Sequence, residues 1–140
     1  MTRFFLASHG HLASGLKSSV QILTGDSSRL TVFDAYVDEG SLEEQLNLFC
    51  QQAEDGDQVI LLSDMYGGSV NSIMYPFLER PNTILIAGVN LALVIGLLLG
   101  GEPLDRGAIE AVVEQSKEAL RIVELEEEGQ EGCQESNDLF

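Results

Sequence analysis

The sequence predicts an α/β fold: an open, mainly parallel, doubly wound sheet with helices on both faces. Three observations carry this. Short apolar runs rich in β-branched residues alternate with segments whose apolar residues recur at helical spacing. The connections are short, and no internal repeat or low-complexity linker divides the chain. A length of 140 residues with 44% hydrophobic content suits one domain with a sizeable core, at roughly 100–200 residues per domain.

Each element has its own signal. Arg3–Ser8 reads as a short buried strand. His11–Thr24 reads as a helix, with Leu12, Leu16, Val20 and Leu23 at helical spacing and Gly25 as its stop. Leu30–Tyr36 is a strand of β-branched and aromatic residues. Ser41 opens the next helix as N-cap, Glu44 completes a capping box, and Leu42, Leu46 and Phe49 form the apolar stripe. Gln58–Ser63 is a buried strand, followed by a polar Gly-Gly loop and a helix from about Ser69 to Leu78. Pro76 should kink or shorten that helix. Strand Ile84–Ala87, helix Asn90–Leu99 and a helix over roughly Leu104–Glu118 follow, and a strand at Leu120–Leu125 closes the domain.

Two stretches need a choice between readings. Thr83–Gly101 is uncharged and nearly long enough to span a membrane. Gly88 and Asn90 interrupt it, no basic residues flank it, and its first half is β-branched, so a buried strand, a turn and a buried helix explain it better. The helix Asn90–Leu99 is apolar on every face and must be covered all round. In so small a domain the expected cover is a subunit interface, which makes dimerisation an expectation from composition.

Charge narrows the partners. The 23 acidic and seven basic residues give a formal charge of −16. Seven acids and no base fall in residues 124–140, leaving −9 on residues 1–123. No dense basic patch is available for a phosphate backbone, so nucleic acid and anionic membrane surfaces are poor partners. Residues 1–125 are expected to form the domain and 126–140 an acidic, disordered tail. Cys50 and Cys133 make neither a disulfide framework nor a metal motif. The opening apolar run is too short for a secretory signal, so cytoplasmic residence is expected.

Candidate chemistry gathers at strand ends. In open α/β sheets the functional crevice lies at the carboxyl ends of the strands, near the topological switch point. His9 follows the first strand and Asp64 the third, which flank that point in a flavodoxin-like order. A carboxylate that accepts a hydrogen bond from Nδ1–H leaves Nε2 free as a nucleophile. Gly67 and Gly68 allow close backbone approach, and Ser69 starts a helix, a ready setting for a phosphate-like anion. Together these read as phosphoryl transfer through a phosphohistidine. The same residues are open to plainer readings: a turn with an N-cap, or a histidine capping the next helix. A Ser69–His9–Asp64 hydrolytic triad lacks the nucleophile-elbow motif and the chain order of hydrolases.

Three segments, "ASHGHLASGL" (Ala7–Leu16), "LLSDMYGGSVNS" (Leu61–Ser72) and "IAGVNLALV" (Ile86–Val94), together resemble the mannose-type enzyme IIA family of the bacterial sugar phosphotransferase system. The similarity runs over about residues 1–125 in the same order and spacing. It implies that His9 is phosphorylated through Nε2, that Asp64 orients its ring, and that Ser69 with the Gly67–Gly68 backbone contacts the phosphoryl group. It further implies a donor, the histidine phosphocarrier protein HPr, and an acceptor, a separate enzyme IIB that feeds a membrane permease. The family resemblance also implies a homodimer that exchanges its last strand, here Leu120–Leu125, antiparallel at the sheet edge. No metal or diffusible cofactor is implied.

Val70 stands where the family often has Pro, and Ala92–Leu93 where Pro-Met is frequent. His11 falls on a variable position of the motif and is expected at the rim. Two other roles share these features: the phosphoryl-donor subunit of dihydroxyacetone kinase, and a regulatory module switched by phosphorylation of His9.

Overall fold

The computed structural model describes residues 1–126. Four strands, β1 (Thr2–His9), β2 (Leu30–Ala35), β3 (Gln58–Ser63) and β4 (Thr83–Ala87), form one sheet in the order β2-β1-β3-β4. Every neighbouring pair is parallel. Five helices connect and cover them: α1 (Leu12–Thr24), α2 (Leu42–Gln52), α3 (Ser69–Met74), α4 (Leu91–Leu98) and α5 (Arg106–Glu118). The doubly wound parallel sheet is therefore the one the sequence predicts.

Side-chain alternation along β1 and β3 builds a core on each face of the sheet. Phe4, Leu6, Ile60 and Leu62 point to the side covered by α1, α4 and α5, against Val20, Leu97 and Ile109. Phe5, Ala7, Val59 and Leu61 point to the opposite side, against Leu46 and Phe49 of α2 and Met74 of α3. Strands buried on both faces read as unbroken apolar runs, as these two do. Between the layers, Ser41 caps α2 as expected: its hydroxyl accepts from the Glu44 amide at 3.2 Å, a contact worth about 1 kcal/mol.

The α3 segment behaves as Pro76 requires. The α-helix stops at Met74 and the chain continues as a 3-10 turn over Tyr75–Glu79, with Pro76 near its start. There the missing N–H and fixed φ of proline are tolerated.

Two expectations bear on the dimer. The apolar helix α4 is covered within the chain: α1 and α5 pack on it, and none of Leu91–Leu98 is exposed. Gly96 makes this possible, since a Cβ there would come within 2.8 Å of Val112 Cγ1 on α5. Composition called for cover, and helices of the same chain provide most of it, while Leu99 at the end of the expected helix stays 67% exposed. The second concerns Leu120–Leu125, expected as an antiparallel edge strand exchanged in a dimer. In this single chain it has no ladder partner among the described residues, and Leu120, Ile122, Val123 and Leu125 are each at least 85% exposed. A strand exists only with a ladder partner, and no strand of the chain's own sheet pairs with this segment. The acidic tail from residue 127 onward, including Cys133, lies outside the described residues. No helix among the described residues is long and apolar enough to cross a membrane.

Candidate functional site

The carboxyl edge of the sheet gathers His9, Asp64 and Ser69. His9 is the last residue of β1, and Asp64 directly follows β3, which pairs with β1 in parallel register through Ala7 and Ser63. That register delivers the Asp64 carboxylate to the end of β1. Its Oδ2 accepts from the His9 backbone amide at 2.8 Å and lies 2.7 Å from the ring Nδ1. One carboxylate oxygen thus fixes both the backbone and the imidazole of the same residue.

Asp64 is almost fully covered, with its side chain 9% exposed, whereas the His9 ring is 42% exposed. Burial pushes the Asp64 carboxyl up, but the bonds from the His9 amide and ring, with the attraction of that ring, outweigh it and hold Asp64 below its ordinary value. Its other oxygen, Oδ1, is buried with no hydrogen-bond partner. Both hydrogen bonds of this carboxylate thus go through Oδ2 to His9. A carboxylate kept ionised at Nδ1 selects the tautomer with the proton there, leaving the Nε2 lone pair outward.

Ser69 faces that lone pair. Its Oγ lies 3.1 Å from His9 Nε2. The loop before it depends on glycine at two positions. Gly67 sits at φ 77°, in the left-handed region. At Gly68, a Cβ would lie 2.8 Å from Met65 Cγ and 3.4 Å from His9 Cε1, so the missing side chain lets the loop close on the imidazole. The Gly68 amide points to the Met65 carbonyl at 3.4 Å, a long bond. First-turn amides of a helix have no acceptor within it, and here they follow Ser69 directly.

Tyr36 joins this group, and sequence reasoning missed it. It was expected as the last residue of a strand, but β2 stops at Ala35 and Tyr36 turns to φ 67°. For a bulky residue this conformation costs about 1–3 kcal/mol. The turn puts the phenol hydroxyl 2.7 Å from Ser69 Oγ and the ring beside His9, centroids 5.3 Å apart. The available signal was positional: an aromatic residue at the carboxyl end of the strand adjacent to β1.

His11 forms a second pair, with Asp34. Its Nδ1 lies 3.0 Å from Asp34 Oδ2, and its side chain is 78% exposed. Asp34 works mainly for the backbone: it accepts from the Ser14 amide at 3.0 Å and the Ser14 hydroxyl at 2.6 Å. Burial raises the Asp34 carboxyl, and the two Ser14 bonds followed by His11 bring it below its ordinary value. Together with Ser8, whose hydroxyl accepts from the Ala13 amide at 2.7 Å, Asp34 satisfies the start of α1. His11 occupies the N-cap position yet makes no side-chain cap.

The third segment singled out in the sequence is structural. Asn90 caps α4 by accepting from the Leu93 amide at 2.8 Å, and it donates to the Ser116 carbonyl on α5 at 2.7 Å. Among the described residues no group of His, Cys, Asp and Glu could hold a metal ion.

Comparison with known proteins fits this geometry. Residues 3–117 match the family model described as the fructose IIA component of the phosphotransferase system. A protein from Klebsiella pneumoniae, described as a phosphoenolpyruvate-dependent sugar phosphotransferase system permease, is 32% identical. The match covers 86% of this chain and 90% of that one, with a TM-score of 0.80. The mannose/sorbose specific IIA subunit from Enterococcus faecalis superposes at TM-score 0.78 with 21% identity, covering 90% and 97% of the two chains. A phosphotransferase system IIA protein associated with the fucose utilization operon of Streptococcus pneumoniae gives 0.70 at 23% identity, covering 86% and 92%. With the family model spanning most of the sequence, the chain belongs to the mannose/fructose-type enzyme IIA family of the sugar phosphotransferase system.

Proposed function

We propose that this chain is a cytoplasmic phosphocarrier of a phosphoenolpyruvate-dependent sugar phosphotransferase system. It takes a phosphoryl group from HPr onto Nε2 of His9 and passes it to a separate enzyme IIB upstream of a membrane permease. The observation that carries this reading is the pair of contacts on one imidazole: Asp64 Oδ2 at 2.7 Å from Nδ1 and Ser69 Oγ at 3.1 Å from Nε2.

The chemistry follows from that arrangement. The Nε2 lone pair attacks phosphorus; the new N–P bond forms as the bond to the donor histidine breaks, and its electron pair returns to the donor nitrogen. Nε2 carries no proton in this tautomer, so none has to leave. The ring gains positive character while Nδ1–H stays on Asp64, whose negative charge stabilises it. In this reading the Ser69 hydroxyl and the Gly67–Gly68 backbone meet the phosphoryl oxygens. Transfer to enzyme IIB is the same step reversed, with a new acceptor nucleophile. A half-exposed ring in an open crevice suits a phosphoryl group delivered by a protein.

The dimer belongs to this proposal as well. The outer edge of β4 borders a groove of about 620 Å³ lined by Tyr75, Leu78, Ile84, Ile86 and Ile109. The apolar residues of 120–125 lie exposed on the same chain. Exchange of that segment onto the partner's β4 would pair a free sheet edge and bury those side chains. Mixing the protein with phosphorylated HPr and then with candidate enzyme IIB proteins tests the carrier role. Label should appear on this chain and leave with the cognate IIB. Absence of label would overturn the carrier reading, and label that no IIB accepts would favour a regulatory module.

A further inference from the structure

We propose that Tyr36 is a positioning residue for phosphoryl transfer, acting through Ser69. The inference rests on the phosphohistidine reading above and adds a residue that the sequence motifs do not contain. Three atoms stand in hydrogen-bonding succession: Tyr36 Oη lies 2.7 Å from Ser69 Oγ, and Ser69 Oγ lies 3.1 Å from His9 Nε2.

Proton counting gives the succession a direction. The ionised Asp64 takes the Nδ1–H of His9, so Nε2 of the neutral ring is an acceptor only. The hydroxyl that faces it must therefore donate. Ser69 has one proton, and it goes to Nε2. Tyr36 is then the donor in its contact with Ser69, since Ser69 has no second proton to give. A hydroxyl that accepts one hydrogen bond while donating another is the better donor.

The consequence spans both states of the site. Before transfer, the Ser69 proton covers the lone pair that must attack. When phosphorus approaches Nε2, that proton has to swing to a phosphoryl oxygen. The Tyr36 hydroxyl holds the serine oxygen in place during this change, so only the proton moves. Without it, Ser69 is free to take other rotamers, and the phosphoryl oxygen meets a less ordered donor.

The backbone supports a purpose beyond packing. Tyr36 and Asn82 are the only non-glycine residues with positive φ among the described residues. Asparagine tolerates that region, whereas tyrosine does so only at a cost. Tyr36 is 62% exposed and adds little to the core. Strain at an exposed aromatic residue is retained where its side chain is needed in one place.

Tyr36→Phe keeps the ring and removes the hydroxyl; Ser69→Ala and the double variant complete a cycle. With phosphorylated HPr as donor, Tyr36→Phe is expected to lower the maximal transfer rate about five-fold, with the KM for HPr unchanged. Ser69→Ala is expected to cost about ten-fold. In the double variant Tyr36→Phe should add nothing to Ser69→Ala, because its effect runs through the serine. Additive losses, or a raised KM at constant maximal rate, would overturn the proposal and make Tyr36 part of the docking surface.

A second readout needs no donor. The ¹⁵N signal of His9 Nε2 in the unphosphorylated protein should move in Tyr36→Phe, and a signal superposed on that of the wild type would also overturn it. If HPr fails to label the wild type, the carrier role falls, while this spectrum still decides the hydrogen-bonded succession.

Discussion

Two histidines two residues apart each hold a carboxylate at Nδ1, and the two pairs are built for different ends. His9 meets Asp64 at 2.7 Å and His11 meets Asp34 at 3.0 Å. Asp64 gives its bonds to His9 alone, backbone and ring together. Asp34 gives most of its capacity to Ser14 and the first turn of α1, with His11 added from solvent. Beyond Nδ1 the contrast widens. Ser69, Tyr36 and the glycine loop stand around His9, while His11 remains 78% exposed. On the proposed reading, an Asp on Nδ1 does not by itself make a phosphoryl acceptor; the donors around Nε2 complete it.

The strongest way to break this comparison is to remove each imidazole. His9→Gln should abolish labelling by phosphorylated HPr, whereas His11→Gln should keep the transfer rate within about three-fold of wild type. Autoradiography of both variants checks this, and label surviving in His9→Gln would invert the assignment.

Exchanging the carboxylates sharpens the division of labour. Asp64→Asn loses the ionised partner of Nδ1 and should slow transfer about 100-fold. Asp34→Ala should leave transfer within a few-fold but lower stability by about 1–2 kcal/mol, through lost bonds at the start of α1. Stopped transfer assays and chemical denaturation separate the two effects.

Gly68→Ala probes the cradle. Its Cβ would press on Met65 and reach the His9 ring. Met65 is exposed and can shift, so stability should hold while the rate falls about ten-fold. A variant with full activity would mean that the loop can retreat without consequence.

Acid gives the smallest effect, and the two pairs share it. Both carboxylates titrate below their ordinary value in the folded protein. Their contribution to stability is thus complete above about pH 4, the unfolded range, and is lost as pH falls through the lower folded values. Denaturation between pH 6 and pH 3 should show a decline confined to the acidic end, reduced in Asp34→Asn. A decline that begins near pH 6 would contradict this.

Much of this was legible in the sequence because it is local. Alternating apolar runs place β1 to β4, and strand ends followed by His9 and Asp64 place an imidazole beside a carboxylate. Pro76 marks where α3 changes to a 3-10 turn. What stayed hidden depends on partners distant in sequence. The strand pattern carried Tyr36 one residue too far, because nothing local announces a left-handed turn at tyrosine. The α4 helix showed its need for cover, but not that α5 would supply it, with Val112 seated against Gly96. Leu120–Leu125 has strand composition, yet a strand is a property of two segments, and its own sheet does not take it in.

The central claim is that Nε2 of His9, held by Asp64 and faced by Ser69, is the phosphoryl acceptor. Long-range ¹H–¹⁵N and ³¹P spectra of the protein after labelling by phosphorylated HPr test it most directly. One phosphohistidine is expected, at His9, with phosphorus on Nε2 and the proton retained on Nδ1. Phosphorus on His11, or on Nδ1 of His9, would contradict it.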